Sequence, residues 1–300
     1  MTLRFATRPS NLARTQTSFV AATLSAAIAD LQTSETVIRT TGDRVLDRPL
    51  PEIGGKGLFT LELEQALRAS TVDVAVHSLK DLPVEDAPGL TLGAIPLRAR
   101  AEDVLISSSG KGLDELPLGA TVGTSSLRRQ AQLLAYRPDL QPVSIRGNVD
   151  TRIRKVHEGE FDAILLAAAG VTRLGLAETI TQYLPLAIML PAPGQGALAV
   201  QCRAEDIETL SLLAYIDHAP TRLAVQAERA FLQALGGGCS LPVAAYAEYA
   251  EGELTLRVCI VSVDGVRTIQ LTACGAEPLA LGASLAAEAL ALGAGEVLYV

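Results

Sequence analysis

Three hundred residues, 49% of them hydrophobic and with a mean hydropathy of +0.30, can bury two or three sizeable cores, which excludes a disordered chain. A net charge of −8 argues against general attraction to nucleic acid, and four cysteines and three histidines without ligand spacing predict neither a structural metal nor a disulfide framework. No apolar run reaches the roughly 18 residues of a membrane span and no signal core follows Met1, so a cytoplasmic location and no membrane partner are expected.

Leu3 to Thr7 predicts a first strand, and Ser10 to Ala29, with Leu12, Phe19, Leu24 and Ile28 at helical spacing, a helix behind it. Ser10 suits the N-cap, and a helix N-terminus beside Arg8 favours a carboxylate or phosphate. Val37 and Ile38 predict the next strand. The polar segment Thr40 to Gly57 ends in Gly54-Gly55-Lys56-Gly57, which lacks Walker spacing and reads as a flexible lid carrying Lys56. Leu58 to Arg68 follows as a helix.

The apolar run Val72, Val74, Ala75, Val76 stops abruptly at His77-Ser78-Leu79-Lys80-Asp81. That is the pattern of a buried strand delivering its C-terminal end to the edge where α/β sheets bind ligands, although a solvated turn would look the same. Leu90 to Ile95 predicts a strand, Arg98 to Asp103 a charged connection, and Val104 to Ser107 the start of a second unit. Ala120 to Gly123 enters Thr124, Ser125 and Ser126 and the helix Leu127 to Tyr136, repeating the order of strand, hydroxyl residues, Arg and helix. Two such units predict two similar α/β domains facing a shared cleft, each aiming a helix N-terminus at it.

Val143 to Ile145 predicts a strand ending at Arg146, Thr151 to His157 a helix, and Ala163 to Ala169 an apolar strand. Between Thr121 and Lys155 stand seven basic residues against two acids, which in an acidic chain suggests a site for a small polyanion. Arg128, Arg129, Arg146, Arg152 and Arg173 follow predicted strand ends or open helices, and the planar Arg fork suits carboxylates.

Leu190 to Gly196 reads as a crossover hinge into the strand Ala197 to Gln201, which could return to the first domain. The expected division is 1–96 with 193–215, 97–192, and a small α+β domain 216–300. The last has a helix Leu223 to Leu235, a hairpin across Asp264-Gly265 and a helix Leu279 to Leu292. Before the hairpin, Gly236-Gly237-Gly238-Cys239 places a cysteine on an exposed loop, either an attachment point or a nucleophile. Cys202, Cys259 and Cys274 read as small core residues.

Taken in order, these motifs resemble the porphobilinogen deaminase, or hydroxymethylbilane synthase, family along nearly the whole chain. They are Ala6-Thr7-Arg8 with Ser10, Gly54-Gly55-Lys56-Gly57-Leu58-Phe59, Val76-His77-Ser78-Leu79-Lys80-Asp81, Gly123-Thr124-Ser125-Ser126-Leu127-Arg128-Arg129, Arg146-Gly147-Asn148 with Thr151-Arg152, and Gly237-Gly238-Cys239. The resemblance implies two periplasmic-binding-protein-like α/β domains flanking a cleft, plus a small C-terminal α+β domain. It implies a transferase that condenses four porphobilinogen molecules, releasing ammonia, into the linear tetrapyrrole hydroxymethylbilane. It implies a dipyrromethane cofactor held by a thioether to Cys239, a monomeric chain, and a product passed to uroporphyrinogen-III synthase.

By the same resemblance Asp81 is the catalytic carboxylate, while Arg8, Ser10, Lys80, Thr124, Ser126, Arg128, Arg129, Arg146, Arg152 and Arg173 hold cofactor and substrate carboxylates. Lys56 and Phe59 belong to the lid. The chemistry agrees: porphobilinogen carries an acetate and a propionate, and loss of ammonia leaves a cation that an ionised Asp81 would stabilise. Proton shuttling by the same carboxyl would contribute roughly 10²- to 10⁴-fold. Glu52 and Glu102 depart from the basic residues usual in the family, which bears on lid contacts and late chain binding. The alternative is a non-catalytic binding protein for a small polyanion. A cysteine-dependent acyl transferase is disfavoured by the absence of a local His partner, and an RNA role by the single aromatic, Tyr136, among the arginines.

Overall fold

The computed structural model describes residues 2–44, 57–85, 87–237 and 241–298. The chain forms two compact units, the residues up to Arg98 with Ala197–Arg222, and Ala99–Gly196 with the residues from Leu223 on.

In the first unit, β1 (Thr2–Thr7), β2 (Gln32–Val37), β3 (Val74–Ser78), β4 (Leu90–Ala94) and the much later β10 (Leu198–Arg203) make a sheet ordered β2-β1-β3-β10-β4. The first three run parallel, and β10 is antiparallel to both neighbours. Side chains alternate between faces, so each face needs its own cover. Helix α1 (Asn11–Ala27) brings Val20 and Leu24 onto Leu3, Phe5, Val74, Val76, Leu198 and Val200. The other face sets Ala6 and Ala75 against Leu63 and Leu67 of α3 (Leu61–Arg68), with the single turn α2 (Thr41–Arg44) preceding it in the chain. Each fully buried leucine contributes roughly 1.5–3 kcal/mol.

The second unit repeats the plan. Strands β5 (Asp103–Ser107), β6 (Thr121–Gly123), β7 (Gln141–Val143), β8 (Ala163–Ala167) and β9 (Gln182–Tyr183) are ordered β7-β6-β8-β5-β9. Again three are parallel, and β5, the counterpart of β10, is antiparallel to its two neighbours. Helix α4 (Leu127–Tyr136) follows β6, α5 (Val149–His157) follows β7, and α6 (Ala168–Arg173) follows β8. Matching order makes the β1–α1 join the topological counterpart of the β6–α4 join, and the turn after β3 the counterpart of the start of α6. The polar motifs follow the C-terminal ends of these parallel strands, the ligand edge of such sheets.

After β10, α7 (Ile207–Leu213) still belongs with the first sheet, while α8 (Ala219–Ala234) leads into the meander β11 (Val243–Ala250), β12 (Glu253–Val261) and β13 (Thr268–Gly275). Helices α9 (Pro278–Ala291) and α10 (Ala294–Leu298) close it. Gly282 allows α9 to cross α8 closely, since a Cβ there would stand 2.5 Å from the Ala227 carbonyl oxygen. Ala131 of α4 packs with Ala244, Cys259 and Val261, and the Asp264-Gly265 turn rests on the Leu134–Ala135 backbone. The whole is α/β: two five-stranded sheets of matching plan and a smaller three-stranded C-terminal sheet.

Some expected elements moved. The strand read at Val37 and Ile38 runs from Gln32 to Val37; it is an edge strand exposed along its length, so it carries no apolar alternation to recognise. The run Ala163 to Ala169 stays a strand only to Ala167, because the unbranched alanines 168 and 169 open a helix. The strand expected at Val143–Ile145 ends at Val143, and β11 was not foreseen.

Candidate active site

In the first unit, Ser10 caps α1: its Oγ accepts the Ala13 amide at 3.3 Å, which leaves its own proton to donate. Two residues earlier, Arg8 gives its Nε and Nη2 edge to Asp43, at 3.3 Å from Nε to Oδ2, and lies with its guanidinium carbon 4.2 Å from the centre of the Phe59 ring. Asp43 also accepts the Thr40 amide at 3.0 Å and the Thr40 hydroxyl at 2.9 Å. Partial burial raises the Asp43 pKa, but the bonds from Arg8 and Thr40 outweigh it and hold the carboxyl below its ordinary value.

The strand β3 ends in a 3₁₀ turn, Leu79–Asp81, pinned by burial of Leu79 and Leu82 and by the Leu79 amide bonding to the Ala197 carbonyl at 3.1 Å. Lys80 is left half-buried and Asp81 exposed. Among the described residues the Asp81 carboxylate has no hydrogen-bond or ion-pair partner. His77, in β3, is buried, its Nε2 has no hydrogen bond among the described residues, and desolvation, opposed by Gln201 and reinforced by Arg8, lowers its pKa to about 4. It stays neutral at neutral pH.

In the second unit, the Thr124 amide bonds to the Val143 carbonyl and its hydroxyl accepts the Ser126 amide at 3.2 Å. Ser126 stands at the N-cap of α4 with no side-chain cap bond. Arg128 and Arg129 point inward. Arg128 Nη1 lies 2.6 Å from Asp103 Oδ2, and Arg129 reaches Asp103 Oδ1 through Nε at 3.0 Å and Nη2 at 2.7 Å. Gln195 adds an amide bond to the same Oδ1 at 2.9 Å. All four side chains are buried, and the two guanidinium charges outweigh the desolvation that would raise the Asp103 pKa, holding it far below the carboxylate range. A substantial part of what Arg128 and Arg129 could offer a ligand is thus engaged by an internal carboxylate.

Apart from the half-buried Arg146, the remaining basic residues separate into two sets. Arg137 pairs with Asp139, Arg154 with Glu158 and Lys155 with Glu160, all partly or fully solvated. Arg152 instead bonds the Gly147 carbonyl at 2.8 Å, and Arg173 the Gly196 carbonyl at 2.8 Å, with no carboxylate partner among the described residues. Burial, helped by the charges of Arg129 and Arg146, lowers Arg152 to about 10; burial alone does the same to Arg173. A positive charge that burial disfavours and no internal anion offsets is a place for a ligand carboxylate.

In each unit these arginine and hydroxyl donors suit a carboxylate ligand. Cys239 and Lys56 lie outside the described residues. Glu102 pairs with Arg100 at 2.7 Å. Sequence reading did not single out Asp43, Gln195 or the counter-ion role of Asp103; the one signal was an acid opening the apolar strand Val104–Ser107. Among the described residues no three His, Cys, Asp or Glu side chains gather as metal ligands, and no helix is long and apolar enough to cross a membrane.

Two family models cover most of the chain: "Porphobilinogen deaminase, dipyromethane cofactor binding domain" matches residues 3–211, and "Porphobilinogen deaminase, C-terminal domain" matches residues 222–291. The chain belongs to the porphobilinogen deaminase family. A porphobilinogen deaminase of Brevibacillus brevis is 56% identical over 295 residues, covering 97% of this chain and 95% of its own length. One of Desulforudis audaxviator is 52% identical over 294 residues, with the same coverage. Among solved structures, the probable amino-acid ABC transporter extracellular-binding protein of Bacillus subtilis aligns with 72% of this chain and 90% of its own, at a TM-score of 0.41 and 11% identity. For a porphobilinogen deaminase fold, the match of the cofactor-binding model to residues 3–211 takes in both five-stranded sheets and every strand-end motif described above.

Proposed function

We infer that this chain is a transferase that condenses four porphobilinogen molecules head-to-tail, with release of ammonia, into hydroxymethylbilane on a covalently bound dipyrromethane primer. The observation within the structure that carries the reading is that Arg152 and Arg173, both half-buried, bond backbone carbonyls and meet no carboxylate among the described residues. A pyrrole bearing acetate and propionate supplies the missing anions.

When bound, the dipyrromethane supplies the free pyrrole carbon on which the chain is extended. Cys239 holds it through a thioether, and Arg8, Ser10, Lys80, Thr124, Ser126, Arg128, Arg129, Arg146, Arg152 and Arg173 hold the carboxylates. Ser10 and Thr124 are suited to this because each hydroxyl accepts a backbone amide and keeps its proton for a ligand oxygen. Asp81, exposed on a pinned turn, sits with no competing cation among the described residues. Its carboxylate stabilises positive charge that develops on porphobilinogen as the carbon–nitrogen bond breaks, and accepts the pyrrole-carbon proton lost when the new carbon–carbon bond forms. Each cycle thus breaks one carbon–nitrogen bond, forms one carbon–carbon bond and releases one ammonia; after four cycles water cleaves the bond joining chain to primer, its hydroxyl becoming the hydroxymethyl end and its proton going to the primer's pyrrole carbon.

The proposed division remains 1–96 with 193–215, 97–192 and 216–300, with Lys56 and Phe59 at the lid. The protein acts as a cytoplasmic monomer, and its product goes to uroporphyrinogen-III synthase.

Intact mass of the purified protein beside Cys239→Ala tests the reading. The expected result is an excess of two linked pyrroles in the wild type, absent from the variant, with ammonia released from porphobilinogen by the wild type alone. A chain that binds porphobilinogen without adduct or ammonia release is a binding protein, and the inference fails.

A further inference from the structure

The contacts of Arg8 are more specific than a general basic site requires. Its Nε and Nη2 both meet Asp43, its face is covered by Phe59, and Nη1 has no hydrogen bond among the described residues. Asp43 is itself held, since Oδ2 accepts both the amide and the hydroxyl of Thr40. Phe59 is held too: Gly42 provides the floor under its ring, because a Cβ at that glycine would fall 2.1 Å from Phe59 Cε1. The Gly42 amide bonds to the Leu58 carbonyl at 2.9 Å, and Thr41 donates its amide and hydroxyl to Glu62 Oε1 at 2.7 Å each. The turn Thr40–Asp43 and the segment Leu58–Glu62 are therefore one locked unit, and Arg8 is laid against it on one edge and one face.

We propose that Asp43 is a positioning residue for ligand binding, clamping one edge of Arg8 on the Phe59 ring so that the Nη1 edge is the side offered to a ligand carboxylate. This rests on the reading that Arg8 receives a substrate or cofactor carboxylate. A free arginine must give up rotamer freedom when it grips an anion, and one already clamped has done so beforehand. The carboxylate also acts in the opposite direction, because it offsets part of the Arg8 charge. Geometry decides between the two. A guanidinium has a second edge, so Asp43 and a ligand bind different atoms and do not compete for the same hydrogens.

The test measures KM and kcat for ammonia release from porphobilinogen, together with adduct loading by intact mass, for Asp43→Asn, Asp43→Glu, Arg8→Gln and the double variant Arg8→Gln/Asp43→Asn. Asp43→Asn is expected to raise KM about 5- to 20-fold with kcat within about twofold, and Asp43→Glu to restore much of it. In the Arg8→Gln background, Asp43→Asn adds nothing, because it acts only through Arg8. An unchanged or lowered KM in Asp43→Asn overturns the proposal, the latter showing that charge cancellation dominates. A KM penalty that survives undiminished in the double variant also overturns it while leaving the role of Arg8 intact. Arg8→Gln with wild-type kinetics and loading overturns the assignment of Arg8 itself. Should Arg8→Gln carry no adduct, loading replaces KM: Asp43→Asn must then load less than wild type and Asp43→Glu more than Asp43→Asn, and wild-type loading in Asp43→Asn refutes the clamp.

Discussion

Arg129 Nη2 lies 2.7 Å from Asp103 Oδ1 with both side chains buried, and the same carboxylate also receives Arg128. One buried anion thus supports two buried cations. Removing it leaves both uncompensated, a change that typically costs about 3–5 kcal/mol. Asp103→Ala should lose stability of that order in urea denaturation, and Asp103→Asn only slightly less, since the amide keeps the shape but not the charge. A loss under about 1 kcal/mol would show that the triad adds little to the stability of the second unit.

Asp81→Ala should fold with an unchanged urea midpoint, because its side chain is exposed and unpartnered among the described residues. Its turnover should fall by roughly 10²- to 10⁴-fold, the usual contribution of a general acid–base group. Single-turnover ammonia release, read beside intact mass, separates loss of chemistry from loss of cofactor. Wild-type turnover would remove Asp81 from the mechanism.

Arg152→Ala and Arg173→Ala are expected to behave unlike Asp103 variants. Each removes a charge that burial disfavours, so stability should stay within about 0.5 kcal/mol of wild type or rise. Catalytic efficiency should drop about 10- to 100-fold, matching the loss of a charge-assisted carboxylate contact of about 1.5–3 kcal/mol. Steady-state kinetics with thermal melts decide it; a large stability loss with unaltered kinetics would make these arginines structural.

His77 carries a pH dependence with a definite sign. Its folded pKa, about 4, lies below the ordinary value of 6.5, so between those values the unfolded chain binds the proton more readily. Stability should therefore fall as pH drops from about 6.5 toward 4, by up to about 3 kcal/mol. His77→Gln should flatten that slope, and the wild-type imidazole should keep its neutral nitrogen shifts in NMR down to about pH 5.

Asp73 acts at lower pH. It accepts Arg4 Nη2 at 2.7 Å and Arg203 Nη2 at 3.1 Å; burial pushes its pKa up, but these bonds prevail and bring it down from 3.8 to about 2. Its contribution is complete above about pH 4 and is lost as pH falls toward 2, about 1 kcal/mol after solvent screening of a partly solvated group. Asp73→Asn should be less stable than wild type at pH 7, with the two converging near pH 2 in acid titrations.

The order of strands, hydroxyl residues and helices was legible from residue patterns alone. Apolar runs that end in polar clusters mark buried strands, and the repeat of Arg8-Ser10 in Thr124-Ser126 announced two similar units. The helix Leu127–Tyr136 was read to its end residues. The exposed β2 and the alanines after Ala167 were misread because neither segment has a one-sided apolar pattern. Arg152 and Arg173 meet backbone carbonyls and no carboxylate among the described residues. Arg128 and Arg129 carried the same signal, yet the fold turned them onto Asp103, 25 and 26 residues away.

Local chemistry is written in order along the chain, so the sequence by itself determined most of the elements, the family and the residue types gathered at strand ends. The tertiary structure decided which charges meet: Asp43 with Arg8, Asp103 with Arg128, Arg129 and Gln195, and no internal carboxylate among the described residues for Arg152 or Arg173. Coulomb energies depend on distance and burial, and neither is a property of a residue's place in the sequence.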